Sequence, residues 1–160
     1  KYVTKYPHEH TKLDRGLLFW NDGEGTTIIT LPSSRELRYP GAGVAVQEDD
    51  YGRLQERLYW TGPHGPHGRV YIWGGYLTEN VVQATSRDIL AEAVVRCEDA
   101  GRDIGLRIGH HIHDEVIGLV LAEYGPQALE IEIAALRHRP EWAPDCPLDA
   151  EGHINRRYSK

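Results

Sequence analysis

His113, Asp114 and Glu115 stand together between two apolar runs, Ile104 to Ile112 and Val116 to Leu121. Two adjacent carboxylates repel each other, and neither can be buried unless a cation or a hydrogen-bond donor compensates. Mg2+ is a natural partner, because it prefers carboxylate oxygens and keeps coordination positions for substrate phosphates. A solvated polar turn is the better account of three such residues standing alone. His110 and His111 widen the choice: with His113 and Asp114 they form a donor set suited to Zn2+ or Mn2+, as in a metallohydrolase. Against that reading, successive strand residues point to opposite faces, so His110 and His111 are expected to diverge.

Other candidate chemistries are weaker. Cys97 and Cys146 are far apart with no CxxC pair, so a thiolate zinc site is ruled out and two reduced thiols are expected. Gly62 to Gly68 is glycine-rich, but Pro63 and Pro66 remove backbone donors that a phosphate cradle needs, so it reads as an exposed loop.

The carboxylate pair needs elements to carry it. The flanking runs read as strands, which puts His113-Asp114-Glu115 at or near a hairpin turn. Thr78 to Ala100 reads as a helix, with Thr78 as N-cap, Glu79 at the positive end of the dipole and Gly101 at C′. Its apolar stripe holds Val82, Ile89, Leu90, Ala93, Val94, Cys97 and Ala100, with Asp88, Glu92, Arg96 and Asp99 opposite. Gln83 falls at the edge of that stripe, where an amide must find protein or nucleic-acid partners. Upstream, the turn cluster Asn21 to Gly25 precedes a β-hairpin of Thr26–Leu31 and Arg35–Tyr39. Tyr59–Thr61 and Val70–Trp73 have strand chemistry, Gln47 to Arg57 is charged, and a second helix is expected over Gln127 to His138. Pro140 to Lys160 reads as irregular.

The 160 residues, 40% hydrophobic and 26% charged, suit one ordinary globular domain. No apolar run reaches membrane-spanning length, and Lys1 to Thr11 lacks the apolar core of a signal peptide, so neither feature is expected. A net charge of −6 argues weakly against a free-standing DNA clamp, which needs dense Lys and Arg.

Four segments, in order, resemble the family A DNA polymerases of the phage-type branch. Leu31-Pro32-Ser33-Ser34-Arg35-Glu36-Leu37-Arg38-Tyr39 is similar to that branch's LPSGRxLxY hairpin, and Gly74-Gly75-Tyr76-Leu77-Thr78-Glu79-Asn80 through Arg87-Asp88 to its GGxLxENxxQAxxRD helix start. His111-Ile112-His113-Asp114-Glu115-Val116 looks like motif C, and Trp142 to Leu148 with Arg157-Tyr158-Ser159-Lys160 is similar to the branch's C-terminal end. The resemblance implies an α+β fold, an incomplete polymerase palm with an antiparallel sheet and packed helices, over residues 17–160. Residues 1–16 remain a segment without an assigned role. It further implies that Asp114 and Glu115 are catalytic, Asp114 as ligand of two-metal Mg2+ chemistry. Gln83, Asn80, Arg87 and His113 are implied to touch nucleic acid, with primer-template DNA and dNTP as substrates. The Asn-to-Gln spacing is three here and four in the family's older members. The cytoplasm of a bacterial or phage-infected cell is the implied location.

Two family motifs do not occur. No Asp in the chain has Glu five positions later, as motif A requires. Motif B needs Arg, Lys four residues later and then Tyr-Gly, and apart from Lys160 no lysine has any arginine before it. A complementary fragment bearing both motifs is therefore expected as partner. A non-catalytic, polymerase-derived DNA-binding module is a third reading.

Overall fold

A computed structural model describes residues 10–62 and 68–158 of the chain. The terminal segments 1–9 and 159–160 and the loop residues Pro63 to His67 lie outside the described residues, and with them most of the proline-glycine loop. The fold is mixed α+β: three antiparallel sheets and two α-helices. It forms two compact units, residues 1–85 and 86–160. The long helix α1, Gly74–Ala100, gives its first turns to one unit and the rest to the other. No helix among the described residues is long and apolar enough to cross a membrane.

The first unit holds a four-stranded meander of β1 (Thr11–Lys12), β2 (Leu18–Asn21), β3 (Thr26–Thr30) and β4 (Glu36–Pro40). The turn cluster behaves as its residues dictate. The Asp22 carboxylate accepts backbone N–H bonds from Glu24 and Thr26, both at 2.9 Å, while Gly23 and Gly25 supply positive φ. The β3–β4 hairpin forms as expected, with Thr27 opposite Tyr39 and Ile29 opposite Leu37. Its connection is closed by Ser34 N–H donating to Leu31 O at 2.9 Å, and Ser34 takes φ 68 where the LPSGRxLxY pattern has glycine. Ile28, Ile29, Leu31 and Tyr39 of this hairpin are buried.

A second sheet contains β5 (Gly43–Glu48), β6 (Leu54–Thr61) and β7 (Arg69–Ile72), with β6 central. The charged stretch Gln47 to Arg57 hides the end of β5 and the first half of β6, because exposed strand positions on both faces blur the alternation that marks a strand.

Helix α1 starts four residues before the expected N-cap. Leu77 N–H donates to Trp73 O at 3.2 Å, and the Trp73 and Tyr76 rings lie 5.7 Å apart, so packing carries the helix through two poor helix formers. Thr78 is thus no cap: its hydroxyl donates back to Gly74 O at 2.9 Å, and Glu79 falls outside the first turn. The apolar stripe is buried only in the C-terminal half, at Leu90, Ala93 and Cys97, while Val82 is 57% exposed and Ala100 is also exposed.

In the second unit Cys97, Leu106, Ala128 and Ala135 form a core joined by Ile104, Ile108, Val120 and Ile131. Gly101 ends α1 with φ −92, so it is not the left-handed C′ residue its place suggests. It is needed for space, since a Cβ there would collide with the Leu106 side chain; the left-handed residue is Gly105, φ 71. Ile104 belongs to a 3-10 turn, Arg102–Ile104, rather than to the following strand. Strands β8 (Arg107–Ile112) and β9 (Glu115–Leu119) form a hairpin, and α2 (Gly125–Arg137) packs against β9. Close approach there depends on Gly118, where a Cβ would meet the Glu132 carboxylate. Burial pushes the Glu132 carboxyl up.

Candidate functional site

The β8–β9 hairpin is tight. Ile112 pairs with Glu115, leaving His113 and Asp114 as a two-residue connection. His113 takes φ 52, the hand that suits short hairpin turns, and histidine tolerates it better than most residues. Glu115 is thus the first residue of β9 rather than part of the turn. His113, Asp114 and Glu115 are all exposed. Among the described residues the Asp114 side chain has no hydrogen-bond or ion-pair partner, which leaves both oxygens available. Glu115 is held differently: the Tyr158 hydroxyl donates to its Oε2 at 2.9 Å. That bond, with partial desolvation and the Glu115 charge, pushes the Tyr158 phenol above its ordinary range.

Below the turn, β8 carries a bulge between Ile108 and His110. Glu98 on α1 supports it, its Oε1 accepting the Ile108 N–H at 3.2 Å. The His110 and His111 rings approach to 6.1 Å with an interplanar angle of 26°, so they do not diverge as plain strand alternation requires. A bulge adds local twist and re-aims the side chains beside it. Arg87 on α1 reaches the same strand, its Nη2 lying 3.2 Å from His111 Nε2. Guanidinium has no acceptor, so this ring nitrogen must accept. Nevertheless, among the described residues no three His, Cys, Asp or Glu side chains gather closely enough to hold a metal.

The two amides of α1 have different surroundings. Asn80 is half-buried and donates to the Tyr39 hydroxyl at 3.1 Å. Burial pushes that phenol up, and its ring meets Trp60 edge-on at 5.7 Å. Arg35, from the hairpin connection, donates to Ala84 O at 2.8 Å, so two contacts fasten the helix start to β3–β4. Gln83 is exposed and donates to Glu79 Oε1 at 3.0 Å, so it is not a buried amide of the helix's apolar stripe.

Over 151 residues the chain is 34% identical to the "DNA polymerase" of Bacillus phage SP02. The chain is related to a phage DNA polymerase. The match covers 93% of the chain but only 22% of the phage protein, so the chain spans about a fifth of that relative's length. No protein-family model matches, and no solved structure does.

Sequence reasoning alone does not find Tyr158 or Glu98 as neighbours of the hairpin. Tyr158 lies 43 residues from Glu115. Its only signal is its place in the C-terminal segment that resembles the polymerases.

Proposed function

We propose that residues 17–160 are the C-terminal palm region of a family A DNA polymerase, with Asp114 as a metal-binding catalytic carboxylate of motif C. The observation that carries this reading is the likeness to a phage DNA polymerase along 93% of the chain, through the Asp114 hairpin. Two features of the hairpin support it. The exposed turn offers hard oxygen donors of the type Mg2+ takes, and Asp114 has no protein partner to displace among the described residues. One carboxylate is only part of such a site, as expected of a chain without motif A.

Asp114 would hold the metal, and Glu115 would add negative potential with one oxygen fixed by Tyr158. A divalent ion bound there supplies Lewis-acid activation of the primer 3′-hydroxyl and offsets charge at the departing pyrophosphate. The chain's own work is placement. His113 sits beside Asp114 to meet the primer terminus, Arg87 offers a guanidinium to phosphate, and Gln83 offers an amide to the minor groove of new duplex, where readout is degenerate. Asn80, whose amide N–H is committed to Tyr39, acts mainly by positioning α1. Primer-template DNA and dNTP are the substrates, and the cytoplasm of a bacterial or phage-infected cell is the setting. Motifs A and B come from polypeptide outside this sequence, as a partner fragment or as more of the same chain.

The test is single-turnover primer extension after adding a polypeptide that bears motifs A and B. Asp114→Asn should lower the rate by several orders of magnitude and leave duplex binding nearly intact, because its contribution is made in the transition state. Gln83→Ala should weaken primer-template binding by about 1–2 kcal/mol, with a smaller effect on chemistry at saturating DNA. Glu98 cannot serve as a neutral control because it holds the bulge, whereas exposed Glu130 can. A near-normal rate for Asp114→Asn removes Asp114 from the chemistry.

A further inference from the structure

The β5–β6–β7 sheet sorts its residues by face. Pairing of Tyr59 with Gly43 and Tyr71, of Arg57 with Ala45, and of Arg69 with Thr61 puts Arg57, Tyr59, Arg69 and Tyr71 on one side. Gln47 and Gln55, paired with each other, share that side. The acids of these strands, Glu48 and Glu56, alternate to the other face, together with Val44, Leu58, Trp60, Val70 and Ile72. In a chain of net charge −6, one sheet face thus carries two guanidinium groups, two phenol rings and no strand carboxylate.

The groups are also arranged. Arg69 Cζ lies 4.5 Å over the Tyr59 ring, and Tyr59 and Tyr71 meet at 6.1 Å and 65°. Gly43 makes room for this packing, since a Cβ there would lie 2.5 Å from the Tyr59 hydroxyl. Arg57 and Arg69 are exposed, and the two tyrosines are half-buried. A second Arg-on-Tyr contact, Arg53 at 5.9 Å over the highly exposed Tyr51, stands at the tip of the β5–β6 hairpin. The nearby Asp49 carboxylate is committed to that turn, accepting from Tyr51 N, Arg53 N and Gln55 Nε2.

We propose that this face binds an unpaired nucleic-acid strand. Every base has a flat π-face for a phenol or guanidinium plane, and every linkage carries a negative charge for Arg57 and Arg69. A strand laid along this face meets both kinds of group at once, as in other sheet-based readers of single strands. The surface uses none of Asn80, Gln83, Arg87, His113 or Asp114, so it does not depend on the polymerase reading.

Fluorescence anisotropy of the full chain with a labelled oligo-dT of about 20 nucleotides tests it across salt concentrations. Wild type should bind at low salt. Arg57→Gln with Arg69→Gln should weaken binding about tenfold or more and flatten the salt dependence by about 1.4, the release expected for two contacts to a single strand. Tyr59→Leu with Tyr71→Leu should weaken binding about tenfold at an unchanged salt slope, because stacking releases no counterions. Circular dichroism reports folding, and a Tyr59→Phe, Tyr71→Phe pair, which keeps the rings, serves if the leucine pair unfolds. It should bind like wild type. Glu130→Gln, an exposed site on α2, should leave oligo-dT binding unchanged. The proposal is overturned if wild type does not bind, if the folded arginine variant binds with wild-type affinity and slope, or if the folded leucine pair binds like wild type. Failure of primer extension with the strand still bound would instead count against the polymerase reading alone.

Discussion

The contact between Tyr158 and Glu115 has a spectroscopic signature. The phenol must be protonated to donate, so the bond is fully present below the ordinary tyrosine ionisation near about pH 10 and is lost as pH rises through the higher folded value. Absorbance titration should therefore show a tyrosine ionising late, and Glu115→Gln should return it toward the ordinary range. Tyr39 is also raised, by burial, so the signal is read as the difference from Tyr158→Phe. A difference titration centred at the ordinary value would show that the contact does not persist in solution. The cysteines separate in the same way. Burial, then the Glu132 charge, pushes the Cys97 thiol up to about 11, whereas Cys146 is only half-buried. At about pH 8 a thiol reagent should modify Cys146 in the native chain and reach Cys97 only on unfolding. Rapid native modification of both would be inconsistent with the Cys97 core. The place of Asp114 in a hairpin turn is legible in the sequence because the flanking strand signals are local. Tyr158 and Glu98 are not, because their partners arrive through folding.

At the scale of elements, the β3–β4 hairpin, the β8–β9 hairpin and both helices were legible from alternation, turn residues and helical period. At the ends of α1 a nearby side-chain or backbone contact overrode a propensity rule, whereas β5 and β6 escaped because exposure on both faces blurs their alternation. The Trp73–Tyr76 contact and the Trp73–Leu77 hydrogen bond carry α1 into Gly74-Gly75, and Leu106 rather than backbone handedness requires Gly101. These causes give opposite mutational signs. Ser34 holds a left-handed φ of 68 without glycine's freedom. Ser34→Gly should stabilise the chain by roughly 0.5–1 kcal/mol in urea unfolding, relief of side-chain strain exceeding the entropy that glycine loses. Gly101→Ala should destabilise by about 1–3 kcal/mol, because its methyl enters space filled by Leu106. If Ser34→Gly destabilises and Gly101→Ala is neutral, both turn assignments are wrong.

The chain as a whole carries one candidate catalytic carboxylate on a hairpin, two units, and a match to about a fifth of a much longer relative. The second unit exposes Leu119 at 59% and Leu121 at 67%, with Tyr124, Ile154 and Tyr158 also exposed. Leucines exposed to this degree in adjoining segments are unfavourable in a lone monomer, so the isolated chain should self-associate with concentration and bind an apolar dye. A monodisperse monomer without dye binding speaks against a covered face. The same incompleteness sets the functional expectation. Two-metal phosphoryl transfer needs carboxylates on both sides of the metals, and no other carboxylate gathers beside Asp114 and Glu115 to form a metal group among the described residues. Nor does the full motif B pattern, Arg and Lys four residues apart followed by Tyr-Gly, occur in the chain to grip the incoming triphosphate. The purified chain alone should therefore extend no primer, whatever DNA it binds. Extension that survives rigorous purification and disappears in Asp114→Asn would mean that the chain assembles its second carboxylate from its own residues, and would overturn the incomplete-palm reading.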